Sequence, residues 1–126
     1  NLGDIMMDKE MIEAGVELYY DSLHESSAEK VHEAFHANAR ITGYLHGDFM
    51  DMSVDQFADF VASQQPSPAE NNVEKVWNIT SCKINGATAA VMLEETYLGI
   101  KFVDTLSFLK VDNDWRIYNK LFHVVD

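Results

Sequence analysis

One acidic residue, Asp104, lies in a strand-like run whose alternating members are otherwise apolar. Phe102, Leu106 and Phe108 share its parity, so all four side chains would project from one face of a strand. A carboxylate on an apolar face either finds a hydrogen-bonding partner or has its pKa raised by burial. Asp104 is therefore the first candidate for a binding or catalytic group.

Glu95 and His123 fall on the same face if three hairpins close through two-residue turns. The turns expected are Asn85-Gly86, Gly99-Ile100 and Asp112-Asn113. This register sets Glu95 opposite Asp104 and His123 diagonal to Asp104. Two carboxylates in an apolar pocket cannot both ionise easily, and a carboxylate beside a histidine forms an acid–base pair. The alternatives are a solvated Glu95 and a structural hydrogen bond between His123 and Asp104.

The same register defines a candidate pocket. Asp104 and His123 are the predicted catalytic residues, and an apolar face with a few convergent polar groups is typical of a small-molecule site. We expect His36 near the opening of the pocket and Glu95 at its edge. The predicted ligand-binding residues are Asp104, His123, Asn119, Glu95, His36, Leu106 and Phe108.

Three helices and a run of strands must position these residues. Helical spacing over 8–24, an S-x-x-E pattern at Ser26 and an S-x-x-Q pattern at Ser53 predict the helices. Strands are predicted at 39–45, 48–52, 75–84, 88–98, 100–111 and 114–125. The pattern predicts an α+β fold in which three N-terminal helices pack on a curved antiparallel sheet.

Length and charge narrow the functional classes. A chain of 126 residues predicts one domain over 1–126, and a net charge of −12 argues against nucleic-acid and anionic membrane partners. The sequence contains no run of 18 apolar residues, so no membrane span is expected. A single cysteine, Cys82, rules out an internal disulfide and favours a reducing cytoplasm.

The sequence His32-Glu33-Ala-Phe-His36 matches the H-E-x-x-H pattern of zinc hydrolases. The predicted helix is short, His36 falls at its end, and a third ligand is not evident, so we expect no metal. A phosphate-binding loop and a serine nucleophile elbow are also missing from the sequence, and no cofactor is predicted.

The second face of the sheet mixes apolar with charged residues. In the predicted register this face bears Val103, Tyr118 and Phe122. A half-apolar sheet face suits a subunit interface, so we predict a homodimer through it.

Two segments resemble the nuclear transport factor 2-like superfamily of cone-shaped, cystatin-like α+β domains. The segment 29–40 resembles the end of that family's second helix. Phe102-x-Asp104-x-Leu106, with Trp115-Arg-Ile-x-Asn119-Lys-x-Phe122-His123, resembles the branch named putative lumazine-binding. The resemblance covers the chain from about Met11 to His123. It implies a pocket between sheet and helices, with a small apolar or heteroaromatic ligand.

Three functions remain open, because one fold serves many activities. The first is a small-molecule-binding pocket protein. The second is a cofactor-free isomerase, dehydratase or hydrolase that uses Asp104 and His123. The third is a dimeric interaction module whose cavity has no ligand.

Overall fold

The computed structural model describes residues 2–125, which form three helices and six strands. In chain order these are α1 (Leu2–His24), α2 (Ala28–Ala34), β1 (Phe35–Leu45), β2 (Asp48–Ser53), α3 (Val54–Ser63), β3 (Trp77–Asn85), β4 (Thr88–Tyr97), β5 (Ile100–Val111) and β6 (Asp114–Val124). The α+β prediction is confirmed. Asn1 and Asp126, the ends of the predicted domain, lie outside the described residues.

Local sequence explains where α1 and α3 form. One stripe of α1, spaced at three or four residues, is buried and includes Ile12, Val16 and Tyr19. The predicted capping box of α3 is confirmed: the Gln56 backbone N–H donates to Ser53 Oγ (3.2 Å), and the Ser53 N–H donates to Gln56 Oε1 (3.0 Å).

The cap of α2 differs from the prediction by one residue. Ser27 is the N-cap, and its hydroxyl accepts from the backbone N–H of Lys30 (3.1 Å). Ser26 cannot serve because it adopts a left-handed φ of 51°, whereas an N-cap residue is extended. Its hydroxyl instead donates to the Gln64 carbonyl (2.6 Å) and ties the α1–α2 turn to the end of α3.

The six strands form one open sheet in the order β2-β1-β6-β5-β4-β3. The prediction of a wholly antiparallel sheet is wrong at one pair, because β1 and β6 run parallel. Parallel neighbours require a long connection, and β2, α3 and the strands β3 to β5 supply it. The helices cover one side of the sheet, called here the inner face; the opposite side is the outer face.

The turns fix which residues oppose each other. The Asp112-Asn113 turn is confirmed, and both its residues have left-handed φ values (50° and 66°). The β4–β5 turn is Leu98-Gly99 instead of Gly99-Ile100, again with two positive φ values. Glu95 therefore lies opposite Phe102 and not Asp104. A shift of two residues preserves the face, so Glu95 stays on the inner side.

Strand β3 departs from the prediction in two ways. Its turn into β4 is Gly86-Ala87 instead of Asn85-Gly86. A bulge at Thr80 also reverses the face of the residues before it, so that Trp77 and Ile79 pack against the core. Within residues 2–125, no helix is long and apolar enough to cross a membrane.

Candidate functional site

A second bulge, in β6, decides which of its side chains face the helices. Phe108 pairs with Ile117 but Ser107 pairs with Asn119, so Tyr118 is an extra residue in β6. Before the bulge Ile117 is buried; after it, burial moves to the even-numbered residues Lys120, Phe122 and Val124.

The predicted pairing of Asp104 with His123 is wrong for this reason. Asp104 is fully buried on the inner face, whereas His123 pairs with Val103 and is exposed on the outer face. Asn119 is also exposed on the outer face. One inserted residue has reversed the parity that the tight turn alone would give.

His36 does not lie at the opening of the predicted pocket either. Its ring packs on Tyr118, with 4.9 Å between centroids, and it lines a separate groove with His32 and Arg116. Because α2 ends at Ala34, His36 belongs to β1 and the H-E-x-x-H pattern does not occupy one helical face. Among the described residues no group of three His, Cys, Asp or Glu side chains could hold a metal ion.

Leu106 and Phe108 are buried in the core and not in the cavity wall. Their exposures are 0% and 2%, and neither belongs to the cavity lining. Their predicted role as ligand contacts is therefore not supported by their position, whereas Glu95 does line the cavity.

An apolar cavity of about 130 Å³ opens between the inner face, α1 and α3. The carboxyl group of Glu95 and the amine of Lys120 interrupt a wall that is otherwise apolar or aromatic. The other lining residues are Leu23, Leu45, Met50, Met52, Phe57, Phe60, Tyr97, Leu98, Ile100, Phe102 and Phe122.

At this wall, three buried side chains contact the phenol oxygen of a fourth, Tyr19. Tyr19 Oη lies 2.7 Å from Glu95 Oε2 and 3.0 Å from Asp104 Oδ2, and it accepts a hydrogen bond from Lys120 Nζ. Tyr19, Glu95, Asp104 and Lys120 are called here the Tyr19 cluster. All four are buried, with exposures of 6% or less.

The proton count in the Tyr19 cluster is informative. The phenol has one proton, so it can donate to one carboxylate, and the second short contact needs a proton from the other carboxyl group. Burial raises the pKa of Asp104, against the opposing effects of Lys120 and Tyr19. We therefore assign the Tyr19 proton to Glu95 and the carboxyl proton to Asp104.

Burial acts on the other members in the expected directions. It raises the pKa of Tyr19 well above its ordinary value, and an ionised Asp104 would raise it further, so the phenol stays protonated. Burial lowers the pKa of Lys120, and only an ionised Asp104 would oppose this shift. The raised pKa of Asp104 and the lowered pKa of Lys120 bring the proton affinities of these two groups closer together.

Three buried polar atoms lack a partner among the described residues: Glu95 Oε1, Asp104 Oδ1 and Tyr97 Oη. Glu95 and Tyr97 line the cavity, and burial raises the pKa of Tyr97 to about 12. Unpaired buried polar atoms are rare in proteins, so a ligand with complementary groups would fit here.

The site predicted from the sequence did not include Lys120, Tyr97 or Tyr19. Phe122 and Val124 could have indicated the bulge in β6, because their parity is opposite to that of the apolar residues Trp115 and Ile117. A change of apolar parity within one strand indicates a bulge.

Comparison with solved structures defines the class of the protein. The chain is similar to an NTF-2-like protein of unknown function from Silicibacter pomeroyi DSS-3, with a TM-score of 0.88, 23% identity, and coverage of 96% of this chain and 98% of that one. It is also similar to an NTF2-like protein of unknown function from Methylobacillus flagellatus KT, with a TM-score of 0.82, 26% identity, and coverage of 94% and 93%. The fold is that of the nuclear transport factor 2-like superfamily, which confirms the resemblance.

The family follows from a match over most of the chain. The protein-family model described as "Putative lumazine-binding" matches residues 7–123, and the chain belongs to that family. Among curated proteins, the chain is 25% identical over 105 residues to "Aldolase FrzH" of Cladobotryum sp., covering 83% of this chain and 82% of that protein.

Proposed function

We propose that the cavity binds a small molecule with an apolar ring and at least one hydrogen-bond donor. Glu95 Oε1 carries this proposal: it is buried, belongs to a residue of the cavity wall, and accepts no hydrogen bond from the described residues. An unpaired buried acceptor costs about 1–3 kcal/mol, and a ligand N–H or O–H would recover that energy.

The size of the cavity supports a ligand that enters by one ring. A cavity of about 150 Å³ lined by aliphatic and aromatic side chains holds one benzene ring, and the cavity here has about 130 Å³. A larger molecule would extend past Leu98 and Phe60, two lining residues that are partly exposed. The family description adds a heteroaromatic ring, and lumazine carries ring N–H donors suited to Glu95.

The test is a fluorescence titration of the protein with lumazine. Glu95→Gln removes the charge but keeps the shape, so it should weaken binding by about tenfold to a hundredfold, since a hydrogen bond to a charged group contributes about 1.5–3 kcal/mol. Glu94→Gln, one residue away with its side chain on the outer face, is the matched control. Absence of lumazine binding, or equal weakening by both variants, would contradict the proposal.

A second candidate is an enzyme that moves protons on a carbonyl compound. The similarity to an aldolase favours it, as does a buried cluster with a phenol and two carboxyl groups. The acid–base groups would be Tyr19, Glu95 and Asp104, because His123 lies on the other face. Exchange of the α-protons of cyclopentanone in heavy water, followed by NMR, should be catalysed by the wild type and lost in Tyr19→Phe.

We also propose the homodimer, with Leu121 in place of Phe122. Leu121, Tyr118 and Val103 lie on the outer face, and Leu121 is half exposed, whereas Phe122 is buried on the inner face. Leu121→Lys should convert a dimer to a monomer in sedimentation equilibrium, and Val73→Lys, at another exposed apolar residue, should not. A wild type that is monomeric at all concentrations would refute this proposal.

A further inference from the structure

Lys120 is a buried amine in the wall of an apolar cavity. The residue is 6% exposed, and its Nζ lies 4.8 Å from the ring centroids of Tyr19 and Phe57 and 5.4 Å from that of Phe122. It belongs to the cavity lining, so its side chain borders the volume that a ligand would occupy.

The hydrogen-bonding partner of this amine is a phenol and not a carboxylate. Lys120 Nζ donates to Tyr19 Oη, while Oε2 of Glu95 and Oδ2 of Asp104 contact the same phenol oxygen and their other oxygens lack partners. The carboxylates therefore reach Lys120 through Tyr19. Burial lowers the pKa of Lys120, which increases the fraction of neutral amine with a free lone pair.

The geometry points to Lys120 as an amine nucleophile that forms an imine with an aldehyde or ketone group of the molecule bound in the cavity. This inference rests on the proposed function, since it requires a small molecule to occupy the cavity. It adds the substrate class, a carbonyl compound, and the atom that reacts with it.

The step balances with the groups at hand. The lone pair of Lys120 Nζ attacks the carbonyl carbon, a C–N bond forms, and the C=O π electrons move to the oxygen. One proton passes from the nitrogen to that oxygen, with Tyr19 as relay. The C–O bond then breaks, water leaves with a second proton from the nitrogen, and the product is an imine.

The surroundings favour this product over the free amine. A proton from the carboxyl group of Asp104, relayed by Tyr19, would convert the imine to the iminium cation. The three rings around Nζ stabilise such a cation through their negative faces. An iminium acidifies the neighbouring carbon, and Glu95, in the same wall, is placed to accept its proton.

Reductive labelling of the wild type tests the inference. Propanal, which is small enough for the cavity, is added with cyanoborohydride at neutral pH, and labelled lysines are located by peptide mapping. Lys75 is the internal control, because its hydrogen bond to Asp21 raises its pKa and it is exposed. Each unit by which a lysine pKa falls raises the neutral fraction about tenfold. The lowered pKa of Lys120 and the raised pKa of Lys75 should therefore make Lys120 label faster than Lys75.

Two added measurements separate this inference from the proposed function. Lumazine in the cavity should slow labelling of Lys120 and leave Lys75 unchanged, and Lys120→Met should remove the fast adduct from the intact mass. If lumazine binds but Lys120 labels no faster than Lys75, the inference is overturned and the binding function stands. If Lys120 labels fast but lumazine does not bind, the amine chemistry stands and the heteroaromatic ligand is refuted.

Discussion

Tyr19→Phe removes the single oxygen at which three ionisable side chains meet. Its hydroxyl contacts Glu95 (2.7 Å), Asp104 (3.0 Å) and Lys120, while the ring would keep its edge contact with Phe35 at 5.7 Å between centroids. A hydrogen bond to a charged group contributes about 1.5–3 kcal/mol. Because the three bonds share one atom they are not additive, and we expect the free energy of unfolding to fall by roughly 3 kcal/mol.

The next residue provides the matched control. The Tyr20 hydroxyl donates to the Thr96 carbonyl (2.9 Å) and accepts from the Val76 N–H (3.1 Å), both neutral backbone groups in a partly buried position. Tyr20→Phe should therefore cost about 1 kcal/mol.

Urea unfolding followed by circular dichroism measures both variants. With a slope of about 1–3 kcal/mol per molar, Tyr19→Phe should move the midpoint by at least about 1 M, and Tyr20→Phe by clearly less. Equal midpoints for the two variants would refute the reasoning, because the Tyr19 hydroxyl would then not hold the polar cluster together.

Three further predictions concern pH, close packing and capping. Burial raises the pKa of Asp104 above its ordinary 3.8, so the free energy of unfolding of the wild type should fall as pH rises from 3.8 through the folded-state pKa. Asp104→Asn cannot titrate and should give a flatter dependence of this free energy on pH. Parallel pH profiles for the two proteins in urea unfolding would contradict this prediction. Gly43→Ala would place a Cβ 2.7 Å from Phe122 Cγ and closer still to its carbonyl oxygen, so thermal melting should show a loss of about 1–3 kcal/mol or more. Ser53→Ala breaks the capping box of α3 and should cost about 1 kcal/mol by urea unfolding; an unchanged midpoint would count against the cap.

Local features of the fold could be predicted because they depend on neighbours in sequence. The capping box at Ser53 and the turn at Asp112-Asn113 are short motifs whose hydrogen bonds or φ angles are set by the residues themselves. Asp104 and Glu95 were also placed correctly on the inner face, because an error of one residue in the β4–β5 turn shifts the register by two residues and does not change parity.

The composition of the site depended on a bulge that turn chemistry does not determine. The bulge at Tyr118 moved His123 and Asn119 outward and brought Lys120 inward. A tight turn sets register only at its own end of a hairpin, and one extra residue further along exchanges the two faces.

The sequence by itself determined the helices, the strands, the family and a buried carboxylate at Asp104. Tertiary structure decided which side chains contact Asp104 in the Tyr19 cluster, because Tyr19 lies 85 positions from Asp104 in the sequence, and Lys120 lies 101 positions from Tyr19. These side chains meet since α1 packs across the inner face, where each must find its polar partner away from water. Periodicity along one strand cannot specify which residue of a distant helix will stand above it.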